Sequence, residues 1–255
     1  MGRRTLLRGT GAVALTAPLL AGCDGDGWVI NLVPESQVQA LGLQTWQQIR
    51  AATPVSTNQR RQGIVRGIAD RLLAANGHDA SRWDVQLFAS EQVNAFALPG
   101  GRIGVFEGMF RVAQNRDQMA AVIGHEIGHV VARHAQSRMN ADAMRNLGLW
   151  LIRVVLGLGD VPYADQIAAI LGAGAEFGIL LPYSRKQELQ ADRLGLFAMA
   201  RAGFNPEQAP ELWRRMDAMV PQSGPTFLAT HPAPKTRIEE LQAMVPQARA
   251  QAAGS

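Results

Sequence analysis

The chain has 255 residues, with 25 Lys and Arg, 21 Asp and Glu, and a single cysteine. Arg3, Arg4 and Arg8 are the only charged residues before Cys23, so the remainder holds 22 basic against 21 acidic residues. This near balance, without a basic aromatic cluster, argues against a nucleic-acid-binding protein. One cysteine excludes an intramolecular disulfide, and the length suffices for one sizeable hydrophobic core.

The N-terminal residues 1–22 have the pattern of an export signal, because three arginines precede a short apolar stretch and small residues. The apolar stretch is about a dozen residues long, too short for a bilayer, which needs about 20. Leu-Ala-Gly-Cys at 20–23 resembles the bacterial lipoprotein signal, and it predicts Cys23 as the lipid-modified first residue of the mature protein. The pair at 3–4 also resembles a twin-arginine signal. An uncleaved signal anchor is the alternative.

These features predict a protein that is anchored by lipid in the bacterial cell envelope and faces the periplasm. Asp24 resembles the inner-membrane retention signal of enteric lipoproteins. The sequence does not decide whether the lipid anchors the protein in the inner or in the outer membrane.

Helical spacing of apolar residues predicts a mostly helical α+β fold. Two short segments rich in β-formers, 83–88 and 94–98, predict a small sheet. The predicted helices cover 35–51, 57–75, 117–139, 141–157, 163–180, 185–202, 206–219 and 234–244. The unusually apolar stretch 147–181 is interpreted as two core helices; a mobile lid or a membrane-resting surface is the alternative.

The segment His125-Glu126-Ile127-Gly128-His129 carries the clearest chemical signal. Two histidines four apart on a helix project from one face, so both imidazoles can bind one metal ion. Glu126 then lies beside the metal, where it can take a proton from water on that metal. Gly124 and Gly128 weaken a helix, which indicates close packing or a nearby substrate. The pattern predicts a zinc-dependent peptidase.

Catalytic zinc usually has a third protein ligand and one open position. His134 lies five residues after His129, about 140° around a helix, so it is predicted to point away from the metal, at the surface or behind a ligand. Glu188 is the better candidate. Asp192, four residues later on the same helical face, can accept the free ring N–H of a ligating histidine. The alternative is a solvated acidic face paired with neighbouring Arg and Lys residues.

The motif helix and the Glu-x-x-x-Asp pattern at 188–192 together resemble the gluzincin peptidases of the HtpX, CAAX prenyl protease and BepA/LoiP type. Residues 94–105, Asn-Ala-Phe-Ala-Leu-Pro-Gly-Gly and Arg-Ile-Gly-Val, are similar to that family's segment before the zinc helix. Thr-His-Pro at 230–232 and Arg-Ile at 237–238 are similar to its C-terminal element. The four matches stand in the family's order and span roughly residues 45–245.

The resemblance implies a zincin-like metalloprotease domain with a small sheet beside the motif helix and one Zn²⁺ per chain. Its implied metal ligands are His125, His129 and Glu188, with Glu126 as general base and Asp192 as the supporting carboxylate. His231 either donates to the oxyanion or occupies the fourth zinc position in a latent state. Arg237 serves the same oxyanion or holds a carboxylate. The substrate backbone pairs with an edge strand, assigned to Asn94, Ala95, Phe96, Ala97 and Leu98; an ordinary sheet strand is the alternative.

The predicted organisation is a signal peptide at 1–22, a lipid-anchored linker and N-terminal segment at 23–45, a zinc metallopeptidase domain at 46–246 and a flexible tail at 247–255. The sequence shows neither a 34-residue repeat like that of BepA-like proteins nor the transmembrane helices of CAAX proteases. This departure favours a small LoiP-like protease.

The predicted function is cleavage of misfolded or misassembled envelope proteins, with polypeptides as the substrates. One alternative is a latent, chaperone-like lipoprotein that captures extended segments by strand addition. A zinc hydrolase that acts on a non-peptide amide is a third option.

Overall fold

A computed structural model describes residues 32–143, 183–219, 227–232 and 235–254. Its helices are α1 (Glu35–Ala52), α2 (Gln59–Ala75), α3 (Arg116–Val131), α4 (134–143), α5 (Arg185–Arg201), α6 (Gln208–Met219), α7 (Phe227–Thr230) and α8 (Lys235–Ala253). Its strands are β1 (Asp84–Phe88), β2 (Ala95–Leu98) and β3 (Arg102–Phe106). Two 3₁₀ turns cover Ala80–Arg82 and Glu107–Arg111.

These elements confirm the predicted mostly helical α+β class with a small sheet. The predictions for the signal peptide, for Cys23 and for the apolar stretch 147–181 concern residues outside the described ranges. No helix within the described ranges is both long and apolar enough to cross a membrane.

Local side chains fix where the helices of the site begin. The side chain of Asn115 accepts a hydrogen bond from the Gln118 backbone N–H at 2.8 Å, which caps α3. Ser184 and Gln187 form a reciprocal capping box at the start of α5. Both caps satisfy N–H groups that lack a partner inside the helix.

The strand order is β1-β3-β2, with β1 parallel and β2 antiparallel to β3. One face of this sheet carries Val85, Ala97 and Ile103 into the main hydrophobic core shared with α2 and α3. The opposite face packs its aromatic residues against Trp46 of α1. Strand β2 therefore lies at the edge of the sheet, covered on both faces. Among the described strands, only β3 pairs with it.

Helices α3 and α5 cross where both have small residues. A Cβ built on Gly195 would lie 2.8 Å from the backbone carbon of Gly124 and 2.8 Å from the backbone nitrogen of His125. A Cβ on Gly128 would lie 2.8 Å from the carbonyl oxygen of Ala191. Close packing, one of the two reasons predicted for the glycines of α3, is therefore confirmed, and α5 is the helix that packs there. The crossing brings the two helix backbones close enough for short side chains to meet.

Gly195→Ala is expected to lower the free energy of unfolding by about 1–3 kcal/mol, since its methyl group meets backbone atoms that cannot rotate away. Gly63→Ala is the matched control, because nothing lies within 4 Å of a Cβ there. That control should raise stability by about 0.5–1 kcal/mol through helix propensity. Urea unfolding measures both values. Equal stability of the two variants would contradict the tight crossing.

The ends of the domain differ from the prediction. The boundary predicted between 45 and 46 falls inside α1, whose Val38 and Trp46 are buried, and the described residues from Leu32 onward form one compact unit. Helix α8 continues to Ala253, although the helix was predicted to end at 244 and residues 247–255 to be flexible. Ala248 is buried, so packing of α8 against α5 and α6 stabilises these last turns, and their alanines favour the helix as well.

Candidate metal centre

His125 and His129 project from one face of α3, as their spacing predicts, and both are buried. Their Nε2 atoms lie 3.0 Å apart. Two ring nitrogens so close together point to a common binding partner between them.

Glu188, in the first turn of α5, brings a carboxylate to the same point. One carboxylate oxygen lies 3.4 Å from His125 Nε2, and the other lies 3.4 Å from His129 Nε2. Residues 59 or more positions apart in the chain thus meet because α3 and α5 cross closely. The alternative interpretation of Glu188 as a solvated acid does not fit, since its side chain is 2% exposed.

His231 supplies a fourth donor atom. It follows the short helix α7, whose Phe227 N–H donates to the carbonyl of Val93 beside strand β2. His231 Nδ1 lies 3.0 Å from a Glu188 oxygen and 3.2 Å from His125 Nε2. Ligand atoms of these three residues and of His129 all lie within 4.8 Å of one another. The arrangement places His231 with the donor atoms.

A network of charged side chains contacts the Nδ1 side of the His125 ring. His125 Nδ1 lies 2.9 Å from Asp192, where the sequence predicts the supporting carboxylate. Arg237 donates to both Asp192 oxygens at 2.7 and 2.8 Å and pairs with Glu188 at 2.7 Å. Its guanidinium also lies 4.2 Å from the ring centre of Trp213. Of the two roles left open for Arg237, these contacts are those of a group that holds carboxylates.

The Nδ1 side of the His129 ring contacts another histidine and not a carboxylate. His129 Nδ1 lies 2.9 Å from Nδ1 of His134, whose Nε2 lies 3.2 Å from the side-chain oxygen of Gln190. His134 thus lies behind a ligand, one of the two positions predicted for it. The continuous helix assumed in that prediction is wrong, because α3 ends at Val131 and Arg133 adopts a left-handed φ of 52°. The chain restarts as α4 with His134 buried against the back of His129.

Tyr183 packs flat on the outer face of the His129 ring, with centroids 3.9 Å apart and planes at 26°. Tyr183, Gln190 and Trp213 also contact the site, and none of them is predicted from the sequence. No local pattern marks them, since each reaches the site only through the packing of separate segments. In the structure, the capping box of Ser184 and Gln187 begins one residue after Tyr183.

Glu126 is fully buried between the donors and the protein interior. Neither of its carboxylate oxygens has a hydrogen-bond partner among the described residues, and His231 Nε2 lies 3.5 Å from one of them. Burial raises the pKa of Glu126 above its ordinary value. A buried carboxylate without a donor is costly unless it faces a ligand or a reacting group.

The electrostatics favour a cation at the donor atoms. Burial lowers the pKa of His125, but hydrogen bonds to Asp192 and Glu188 outweigh it and raise that pKa to about 9. Burial lowers the pKa of His129 to about 2. Burial opposes ionisation of Glu188, yet the charge of His231 and the imidazole hydrogen bonds hold its pKa well below the ordinary value. Glu188 is therefore ionised and His129 neutral, the forms that bind metals, and a metal would displace the proton of His125.

The donor atoms of His125, His129 and Glu188 fit zinc in distance. Zinc bonds of about 2.0–2.1 Å in a tetrahedron place neighbouring donors about 3.3 Å apart, and the separations among these three residues run from 3.0 to 3.4 Å. The described site also holds three carboxyl groups, those of Glu126, Glu188 and Asp192, against the one guanidinium of Arg237. A divalent cation would add positive charge beside them.

The predicted substrate strand lies beside this centre. Ala97 and Leu98 of β2 line the same cleft as His129. Phe96 and Leu98 pack towards Trp46, whereas Ala95 and Ala97 pack towards the main core. Asn94 precedes the strand, and its carbonyl accepts from the Phe106 N–H at 3.0 Å. The five residues therefore form a buried segment at the edge of the sheet, and its last two residues border the cleft that His129 also lines.

Comparisons with known proteins agree with this geometry. The model of peptidase family M48 matches residues 56–245. The mitochondrial metalloendopeptidase OMA1 of Schizosaccharomyces pombe is 36% identical over 184 residues, which cover 71% of this chain and 52% of the relative. OMA1 of Arabidopsis thaliana is 33% identical over 169 residues, 66% of this chain and 33% of the relative.

A bacterial relative matches over a longer stretch. The beta-barrel assembly-enhancing protease of Yersinia pestis is 27% identical over 249 residues, which cover 90% of this chain and 51% of the relative. The chain thus spans about half the length, or less, of these curated relatives.

Proposed function

This chain belongs to peptidase family M48, and we propose that it is a zinc metalloendopeptidase that cleaves misfolded or misassembled envelope proteins. The family match confirms the resemblance to gluzincin peptidases that the motifs indicate. Its main support is the buried cluster of His125, His129 and Glu188 next to Glu126, whose carboxylate has no hydrogen-bond partner among the described residues.

In this proposal, His125, His129 and Glu188 hold the metal. Bound zinc supplies Lewis acidity, which polarises a peptide carbonyl and makes water a better nucleophile near neutral pH. Asp192 fixes the ring orientation of His125 through the 2.9 Å contact, and His134 does the same for His129. Arg237 is a positioning residue, because it holds Asp192 and Glu188 and is itself buried.

Glu126 is the proposed general base. It accepts the proton of the attacking water and passes it to the leaving amine. Its burial and its lack of a hydrogen-bond donor support this role, since a carboxylate held by strong donors would be a weaker base.

The proposed substrate site is the outer edge of β2, from Asn94 to Leu98. Main-chain hydrogen bonds to an edge strand bind an extended peptide with little regard to its side chains. An unfolded segment is free to adopt that pairing. The position of β2 beside His129 supports this assignment.

The proposed location is the bacterial envelope, with a lipid on Cys23 as the membrane tether. The export-signal pattern of residues 1–22 and the lipoprotein motif support it. So does the similarity to a protein named for β-barrel assembly.

The basic test is to measure metal content and cleavage of casein, a substrate without stable fold. The purified protein is expected to contain one zinc ion per chain and to cut casein. A chelator should stop cleavage, and added zinc should restore it. Casein that is captured without being cut, by protein that holds zinc, would favour the chaperone-like alternative.

Asp192→Asn is expected to weaken zinc binding by about 10- to 100-fold, the usual cost of losing an outer partner of a ligating histidine. The substitution keeps the shape of the side chain but removes the charge that faces His125 and Arg237. Competition with a chromogenic chelator measures the affinity. Glu207→Gln, which removes an exposed carboxylate paired with Arg249, is the control and should bind zinc as tightly as the wild type. An unchanged affinity in Asp192→Asn would refute the assigned role.

His231→Ala is expected to raise casein cleavage about tenfold, the gain if only about a tenth of the molecules are open at any time. The reason is position: His231 lies among the donor atoms and 3.5 Å from Glu126, where a substrate carbonyl and water must enter. Initial cleavage rates at equal zinc content measure the effect. His78→Ala is the control, because His78 is not part of the ligand cluster. Loss of activity in His231→Ala would instead assign His231 to oxyanion stabilisation.

A further inference from the structure

A pocket opens between helix α1, the turn after strand β2 and the start of α4. Its volume is about 180 Å³. One end of the pocket is bordered by His129, and one wall is formed by Ala97 and Leu98 of β2. The pocket is therefore continuous with the proposed metal centre and with the proposed substrate strand.

The inner walls of this pocket are apolar. Val38 of α1, Leu98 of β2 and Val130 of α3 line it, together with the Tyr183 ring that packs on His129. At the rim, Arg133 and Glu35 form an exposed ion pair at 3.3 Å. An apolar interior with a polar rim is typical of a site that removes one hydrophobic side chain from water.

The size of the pocket fits one large side chain. A cavity of about 150 Å³ is enough to bind a benzene molecule, so about 180 Å³ accommodates the side chain of Leu, Met or Phe. In an extended peptide, alternate side chains point to the same side. A peptide paired with β2 would thus present one side chain to this pocket at a fixed distance from the scissile bond.

We propose that this pocket, named here the α1 pocket, binds one large apolar side chain of the substrate and thereby sets the cleavage preference. The inference rests on the proposed peptidase function, because it concerns the same cleft. Large apolar side chains are mostly buried in folded proteins. A preference for them directs cleavage to unfolded or misassembled chains and spares folded ones.

The test uses two fluorescent peptides that differ only at one position, Leu in one and Ala in the other, and that position is chosen from cleavage sites mapped in casein. Binding is measured to the Glu126→Gln protein, so the result does not depend on catalysis. The Leu peptide is expected to bind at least about tenfold more tightly, as filling an apolar pocket usually gives. The mapped sites should have Leu, Met or Phe enriched at that one position.

A variant that fills the α1 pocket tests whether the preference for Leu over Ala arises there. Ala135 lines the α1 pocket and is partly exposed, so Phe at this position fills the pocket from the side of α4. Ala135→Phe should remove the Leu-over-Ala preference and leave binding of the Ala peptide within about threefold. Ala141→Phe is the matched control, since Ala141 is exposed on the same helix and does not line the pocket.

Equal binding of the Leu and Ala peptides to the Glu126→Gln protein would overturn the proposal, as would a preference that survives Ala135→Phe. Failure of the proposed function gives a different result. In that case the wild-type protein, with zinc bound, cuts neither peptide. The position that carries Leu or Ala is then chosen by measuring the binding of a set of peptides in which Leu is placed at each position in turn. The binding comparison still decides whether the α1 pocket selects an apolar side chain.

Discussion

Replacing Glu126 by Gln is expected to lower casein cleavage by at least about 10³-fold, because proton transfer by a positioned group contributes about 10²–10⁴-fold and the described part of the site offers no other carboxylate free for the task. Glu188 and Asp192 are both engaged by Arg237. Burial raises the pKa of Glu126, which makes its carboxylate a stronger base than an exposed glutamate. The amide of Gln has the same shape and cannot accept the proton.

The Glu126→Gln protein should keep its zinc and its stability. Neither oxygen of Glu126 has a hydrogen-bond partner among the described residues, so the folded state loses no hydrogen bond there. Initial rates of casein cleavage, zinc content and the midpoint of thermal unfolding measure the three properties. Glu211→Gln, at an exposed position of α6, is the control. A Glu126→Gln protein with more than about a tenth of the wild-type rate would refute the general-base assignment.

Replacing Glu188 by Ala is expected to abolish both zinc binding and cleavage. The loss of affinity should exceed the about 10- to 100-fold effect of an outer partner, because Glu188 supplies a donor atom itself. The substitution also leaves the guanidinium of Arg237, paired with Glu188 at 2.7 Å, with Asp192 as its only described carboxylate partner. Burying that less compensated charge adds a folding cost.

Thermal unfolding with and without a chelator separates the stability contributed by bound zinc from the stability of the metal-free fold. If zinc is present at about 1,000 times its dissociation constant, it stabilises the wild type by about 4 kcal/mol. For a domain of this size that corresponds to roughly 10 °C in Tm, which a chelator should remove. Glu188→Ala should show the lower Tm already and no response to the chelator. A Glu188→Ala protein that binds one zinc as tightly as the wild type would exclude Glu188 as a ligand.

Part of the site follows from local sequence. Four-residue spacing on one helix is enough to predict that His125 and His129 share a face, and likewise Glu188 and Asp192. Helix starts at Asn115 and Ser184 are also local, since each cap bonds to a backbone N–H three residues later. These features depend on neighbours within one turn, so the sequence predicts them well.

Other parts were predicted wrongly or not at all. His134 was placed on a continuous helix, but α3 ends before it and the left-handed Arg133 turns the chain back. A non-glycine residue in that conformation is uncommon, and no pattern in the sequence marks it. The last turns of α8 were expected to be flexible, although packing against α5 and α6 orders them.

The sequence is enough to identify the side chains that can form a metal centre and the pairs that share a helical face. It does not predict that α3 and α5 cross at Gly124 and Gly195, that Arg237 holds both carboxylates, or that the α1 pocket opens beside His129; these features are seen in the fold. The physical reason is the range of the interactions. Helix periodicity and capping act within a few residues, whereas backbone approach, buried ion pairs and pockets depend on segments far apart in the chain that meet only after folding.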